Sequence, residues 1–127
     1  MRIFISGPMK NDPDHEAKFK KIEDILNKLG ISPFNPAWLK VDRAWRRDNL
    51  LPIDEAAIEQ CDAVIFMENW ETAYGCMKEM QYALDREKVI FIIKGKKVIY
   101  HIFNSLDVDN IQTARIKKLA SDIAEEL

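Results

Sequence analysis

Apolar and polar positions fall in blocks along the chain, and the blocks change period. Arg2-Ile-Phe-Ile-Ser6 is a short β-type run closed by Gly7-Pro8, after which Phe19, Ile22, Leu26 and Leu29 recur at helical spacing. Asp12-Pro13 offers that helix a cap and a first-turn proline, and Gly30 stands where a helix commonly stops. Ile31 to Asn35 reads as a second strand. Residues 43 to 60 read as helical with a break near Pro52, as two short helices or one kinked helix, because proline removes a backbone donor and crowds the preceding turn. Asp62-Ala-Val-Ile-Phe-Met67 is a buried strand by its continuous apolar run, residues 73 to 87 return to helical spacing, and Val89 to Ile93 is another buried strand. Val98 to Phe103, beyond the turn Lys94-Gly-Lys, reads as an antiparallel edge strand. Ile116, Leu119, Ala120, Ile123 and Leu127 mark a final amphipathic helix.

This order predicts an α/β fold: a mainly parallel sheet of four to five strands with helices on both faces, of the flavodoxin or Rossmann type. Ligands of such sheets sit at the carboxyl ends of the strands, here the loops starting near Ser6, Asn35, Met67 and Ile93. A length of 127 residues, 47% apolar and 31% charged, fits a single domain over residues 1–127 with one core. A net charge of -2 gives no electrostatic reason to expect a nucleic-acid or anionic-membrane partner. The longest apolar run, Val89 to Ile93, is far short of the roughly 20 residues a membrane span needs. The N-terminal apolar stretch is too short for a signal peptide, so the expected compartment is the cytoplasm. Cys61 and Cys76 then read as reduced, buried small hydrophobes.

Glu79 is the most informative polar position. At 100° per residue, Ala73, Cys76, Met77, Met80, Ala83 and Leu84 form the predicted buried stripe, with Glu79 on its border beside Gly75. A surface glutamate would ordinarily pair with a cation one turn away. Its neighbours at that spacing are Gly75, Cys76, Tyr82 and Ala83, and none is a cation. Gly75 also leaves space above the carboxylate, and a glycine inside a helix calls for a packing or close-approach reason.

Other signals are weaker. Trp38, Trp45 and Trp70 are aromatic faces suited to a nucleobase, with core or interface packing the commoner use; Trp70 stands out because it lies on the loop leading to Glu79. Asn35 follows a strand end and is a candidate for base or ribose contact. Arg43, Arg46 and Arg47 have Asp42, Asp48 and Asp54 nearby and read as a solvated face. His15 and His101 lack ligand spacing, so no metal is expected, and Ser6-Gly7 is neither a Walker loop nor a dinucleotide fingerprint.

Phe4-Ile-Ser-Gly-Pro-Met9, Asp54 eight positions before Asp62-Ala-Val-Ile-Phe, and Gly75-Cys-Met-Lys-Glu79-Met-Gln-Tyr-Ala83 together resemble the nucleoside 2-deoxyribosyltransferase superfamily. The likeness is greatest to its small branch common in phages and bacteria, related to the 2'-deoxynucleoside 5'-phosphate N-hydrolases. It covers roughly residues 1 to 93. The resemblance implies that Glu79 is the nucleophile, that Asp54 assists departure of the base, and that Ser6, Gly7, Pro8 and Met9 lie over the sugar or phosphate. Asp62, at the opposite end of its strand, would be structural. Where relatives place a hydroxyl or acidic group for the 5' end of the substrate, this chain has Ala73, with Thr72 adjacent. The expected partner is a small nucleoside or nucleotide and no cofactor is implied; kinship also implies a homo-oligomer. Three functions follow: N-glycosidic cleavage or transfer, a non-catalytic nucleotide-binding or sensing module, and a scaffold that assembles through its C-terminal helix.

Overall fold

A computed structural model describes residues 1–39, 47–103 and 110–127. Five strands form one sheet: β1 (Arg2–Ser6), β2 (Ser32–Phe34), β3 (Ala63–Phe66), β4 (Val89–Lys94) and β5 (Lys97–His101), in the order β2-β1-β3-β4-β5. The first four are parallel. β5 returns antiparallel to β4 through a two-residue turn, with Lys94 opposite Lys97. The helices are α1 (His15–Lys28), α2 (Arg47–Glu59), α3 (Tyr74–Asp85) and α4 (Asn110–Glu126).

Strand alternation divides the core. Ile3 and Ile5 of β1, Ala63 and Ile65 of β3, and Phe91 and Ile93 of β4 face α1 and α4, where Phe19, Leu26, Ile116 and Ile123 pack. Phe4, Val64, Phe66 and Ile90 face the other way, onto Ile58 of α2 and Ala83 of α3. Both faces are covered, which is why β3 reads as an unbroken apolar run. α1 carries the chain from β1 out to β2, whereas α2 and α3 carry it the other way, so right-handed crossovers place them on opposite faces. The direction of winding reverses between β1 and β3, and a crevice is expected at their carboxyl ends.

Several local expectations shift. Asp12-Pro13 precedes α1 instead of opening it: Asp14 is the N-cap residue, and the Asp12 carboxylate accepts from the Asp14 N–H at 2.9 Å and from Lys18 Nζ at 2.8 Å. Those two donors hold Asp12 in a turn of its own. α1 does end before Gly30, whose φ of +77° favours glycine. α2 runs as one helix with Pro52 inside it. The N-terminal part of the predicted 43–60 helix, with Trp45, Arg43 and Arg46, lies outside the described residues, as does the Arg47 side chain. Two short 3-10 turns, Pro36–Trp38 and Trp70–Thr72, follow β2 and β3. Neither shows in the apolar pattern, because each is set by loop hydrogen bonds. Asp62 accepts from the Arg2 N–H at 2.8 Å and ties β3 to β1 at the end remote from the crevice. Cys61 and Cys76 are both buried, and neither is in a disulfide. Among the described residues no helix is long and apolar enough to cross a membrane.

Candidate active site

At the β1/β3 crevice the two strands meet closely. Ser6 is in register with Phe66, and the Met67 N–H donates to the Ser6 carbonyl at 2.8 Å. A Cβ on Gly7 would lie 2.6 Å from Met67 Sδ and 3.1 Å from Met67 Cβ, so glycine is needed for the chain to leave β1 against the end of β3. The loop then runs along the crevice. Asn11 adopts a left-handed φ of +65°, Asp12 donates its N–H to the Met9 carbonyl, and Lys18 clamps the Asp12 carboxylate from the first turns of α1. The Lys18 hydrogen bond, aided by the Asp14 N–H, holds the Asp12 carboxyl below the usual carboxylate range.

This loop, α2 and the start of α3 enclose a cleft of about 450 Å³. Its walls are Gly7 to Asn11, Leu51 and Asp54 of α2, Thr72 and Ala73, and Tyr74, Gly75, Cys76 and Glu79 of α3. Three carboxylates are buried among the described residues: Glu23, Asp54 and Glu79. Burying a carboxylate is costly unless partners compensate. Glu23 has Asn35 Nδ2 at 3.3 Å and Lys20 Nζ at 3.7 Å, away from the cleft. Asp54 and Glu79, 2% and 5% exposed, both line it. Ser6 Oγ donates to Glu79 Oε1 at 2.9 Å within the interior.

The inward face of α3 is rotated from the predicted stripe. Cys76, Glu79 and Ala83 are buried, while Met77 and Leu84 are exposed, so Glu79 sits at the centre of that face and not on its border. A hydropathy stripe weights Met and Leu inward and Glu outward; here the crevice supplies a polar interior that the pattern cannot register. The space above Gly75 is open: no atom lies within 4 Å of where its Cβ would be.

The remaining sequence candidates divide between the cleft and its surroundings. Gly7, Pro8, Met9, Thr72 and Gly75 line the cleft with the two carboxylates. The Thr72 hydroxyl donates to the Asn69 carbonyl at 2.7 Å, closing the 3-10 turn. Ser6, Asn35 and Trp70 are not on the cleft walls. Ser6 is fully buried behind Glu79. Asn35 is buried because its side chain works locally, accepting from the Ala37 N–H at 2.9 Å and donating to Glu23. Trp70 turns back onto Phe66, with ring centroids 5.3 Å apart, because the 3-10 turn folds it over the α2/α3 side of the sheet. Trp38 is half exposed and leans on Phe34.

Lys10, Asn11, Leu51, Tyr74 and Cys76 line the cleft without having been singled out from sequence. Sequence position offered a signal for four of them: Lys10 and Asn11 continue the loop after a strand's carboxyl end, and Leu51 and Cys76 stand one helical turn before Asp54 and Glu79. Among the described residues no cluster of His, Cys, Asp or Glu is arranged to hold a metal ion.

Comparison with known proteins gives matches to solved structures and to one family model. Among solved structures the chain is similar to the CMP N-glycosidase BcmB of Clostridium botulinum, with 20% identity and a TM-score of 0.49 over 96% of this chain and 84% of that one. No curated protein matches it by sequence. A family match spans residues 1–92 and so takes in β1 to β3 and most of β4, the loop after β1, and both cleft carboxylates, while β5 and α4 fall outside it. The chain belongs to the DUF4406 family, a domain of unknown function.

Proposed function

We propose that the chain cleaves, or transfers across, the N-glycosidic bond of a nucleoside or nucleoside 5'-monophosphate, with Glu79 as nucleophile and Asp54 as acid and base. The observation that carries this reading is the pairing of two buried carboxylates on the walls of one cleft at the sheet's switch point. Breaking a bond between an anomeric carbon and a base nitrogen develops positive charge on the sugar and negative charge on the base. The Glu79 carboxylate attacks the anomeric carbon as the bonding pair leaves with the base, and Asp54 delivers a proton to that base. The ionised Asp54 then takes a proton from water, whose oxygen displaces Glu79 and frees the sugar. A second base in place of water makes the same step a transfer.

Purified chain is incubated with a panel of nucleosides and 5'-monophosphates, and freed base is followed by chromatography beside Glu79→Gln. Release by wild type, lost in the variant at unchanged melting temperature, is the expected result. Equal release by both, or none from the whole panel, would sink the assignment.

Ala73 favours a second reading. It lines the cleft with a methyl group where a hydroxyl or acid would meet the substrate's 5' end, which suits a module that binds nucleotides without turning them over. Such a module gains thermal stability from a nucleotide while releasing no base. A homo-oligomer accompanies either reading, because Ile53 of α2 and Tyr74 and Met77 of α3 leave apolar surface on the helices that carry the carboxylates. Sedimentation of a single 14.8 kDa species would remove that part.

A further inference from the structure

Ser6 is a fully buried polar side chain, bonded to Glu79, that the chemistry above does not use. It ends β1, between β2 and β3, and has no solvent exposure. Alternation along β1 sends Phe4 towards α2 and α3, and Ser6, two residues on, projects the same way. Every other inner position of β1, from Ile3 to Ile5, is an apolar core residue. A hydroxyl at this depth needs a partner, and it has one in Glu79 Oε1 at 2.9 Å. Ser6 does not line the cleft, so a substrate in the cleft reaches Glu79 without touching Ser6.

We propose that Ser6 is a positioning residue for Glu79: its hydroxyl donates to Oε1, fixes the plane of the carboxylate on α3 from the central strand, and favours the ionised form before substrate arrives. The inference rests on the proposed role of Glu79, but the bond it concerns exists without turnover. A hydroxyl that donates to a carboxylate stabilises the charged form over the neutral acid, and loses that bond geometry when the acid is protonated. Other ionisable groups, Lys10 from the loop after β1, Asp54 from α2, and Cys76 and Tyr74 of α3, line the same cleft. Ser6 differs from these in lying off the cleft wall, held by the central strand with its hydroxyl 2.9 Å from Oε1.

The test titrates Glu79 directly. In chain labelled with carboxyl-13C glutamate, the Glu79 signal is identified by its absence in Glu79→Gln and followed against pH in wild type, Ser6→Ala and Ser6→Thr. Ser6→Ala adds no atoms and so introduces no clash, while Ser6→Thr keeps the donor. The midpoint is expected to rise by about one pH unit in Ser6→Ala, the scale of one lost donor, and to return towards wild type in Ser6→Thr. An unchanged midpoint in folded Ser6→Ala overturns the proposal. So does an equal rise in Ser6→Ala and Ser6→Thr. If base release is detected, Ser6→Ala should lower kcat about tenfold with KM within about twofold, and move the acid limb of the pH profile up with the carboxyl midpoint. A chain that releases no base loses the catalytic reading and leaves the titration to decide on Ser6.

Discussion

Gly7→Ala tests whether the closeness of β1 and β3 shapes the cleft. The added Cβ would stand 2.6 Å from Met67 Sδ, 3.1 Å from Met67 Cβ and 3.2 Å from Met67 Cγ. Comfortable carbon contacts begin at about 3.5 Å. Rotating the thioether relieves the first contact but not the second, because Met67 Cβ rides on the backbone, which the 2.8 Å bond from Met67 N to the Ser6 carbonyl ties to β1. Met67 is itself buried in the core shared with α1 and α4. The strands must part by a few tenths of an ångström or the core must repack, and overpacking of this kind costs about 1–3 kcal/mol. In urea the midpoint should fall with the m-value unchanged, and melting should drop by about 4–12 °C. A double-mutant cycle isolates the cause. Met67→Ala alone removes core volume and costs about 2–5 kcal/mol, but it also removes the Sδ and Cγ that the new methyl meets. The pair should therefore couple favourably by at least about 1 kcal/mol. Gly7→Ala within about 0.5 kcal/mol of wild type, or a cycle that is additive, refutes the reasoning.

Three further outcomes are expected. Asp54→Asn should slow base release by about 10²–10⁴-fold, with less loss for substrates whose base leaves readily without a proton; a uniform loss across leaving groups would deny it the acid's role. Lys10→Ala should raise KM for 5'-monophosphates about tenfold and leave unphosphorylated nucleosides unaffected, since Lys10 brings a cation to the cleft wall; parallel changes for both would place it away from the phosphate. Asp12→Asn should destabilise the chain at neutral pH and cease to matter in acid. Lys18 lowers the Asp12 pKa from 3.8, so its contribution is present above that value and lost as pH falls through the lower folded value; a urea-midpoint difference that stays constant from pH 7 to 3 would contradict this.

The elements that the chain encodes locally were legible. β1, β3 and β4 follow from apolar runs, α1 and α3 from helical spacing, and the antiparallel β5 from the turn beyond β4. The site was legible in part, through the rule that ligands gather at strand carboxyl ends and through motif order. What stayed hidden depends on long-range contacts. Asn35 sits at a strand end like the cleft residues, yet Glu23 on α1 and the Ala37 N–H engage its side chain. Trp70 belongs to the loop before α3, yet Phe66 receives its ring. Lys10 carries no apolar or motif signal, and only the course of its loop brings it to the cleft.

By itself the sequence determined the α/β order, the two covered faces of the sheet, and Glu79 as a helical carboxylate with no cation one turn away. These depend on periodicity and neighbours within a few positions. Tertiary structure decided which way Glu79 points and what meets it there. It turned α3 so that a glutamate faces inward, brought Ser6 across 73 residues of sequence to hold Oε1, and set Asp54 of α2 on the wall of the same cleft. The physical reason is that a polar interior forms only where separate elements meet, and no local pattern records it.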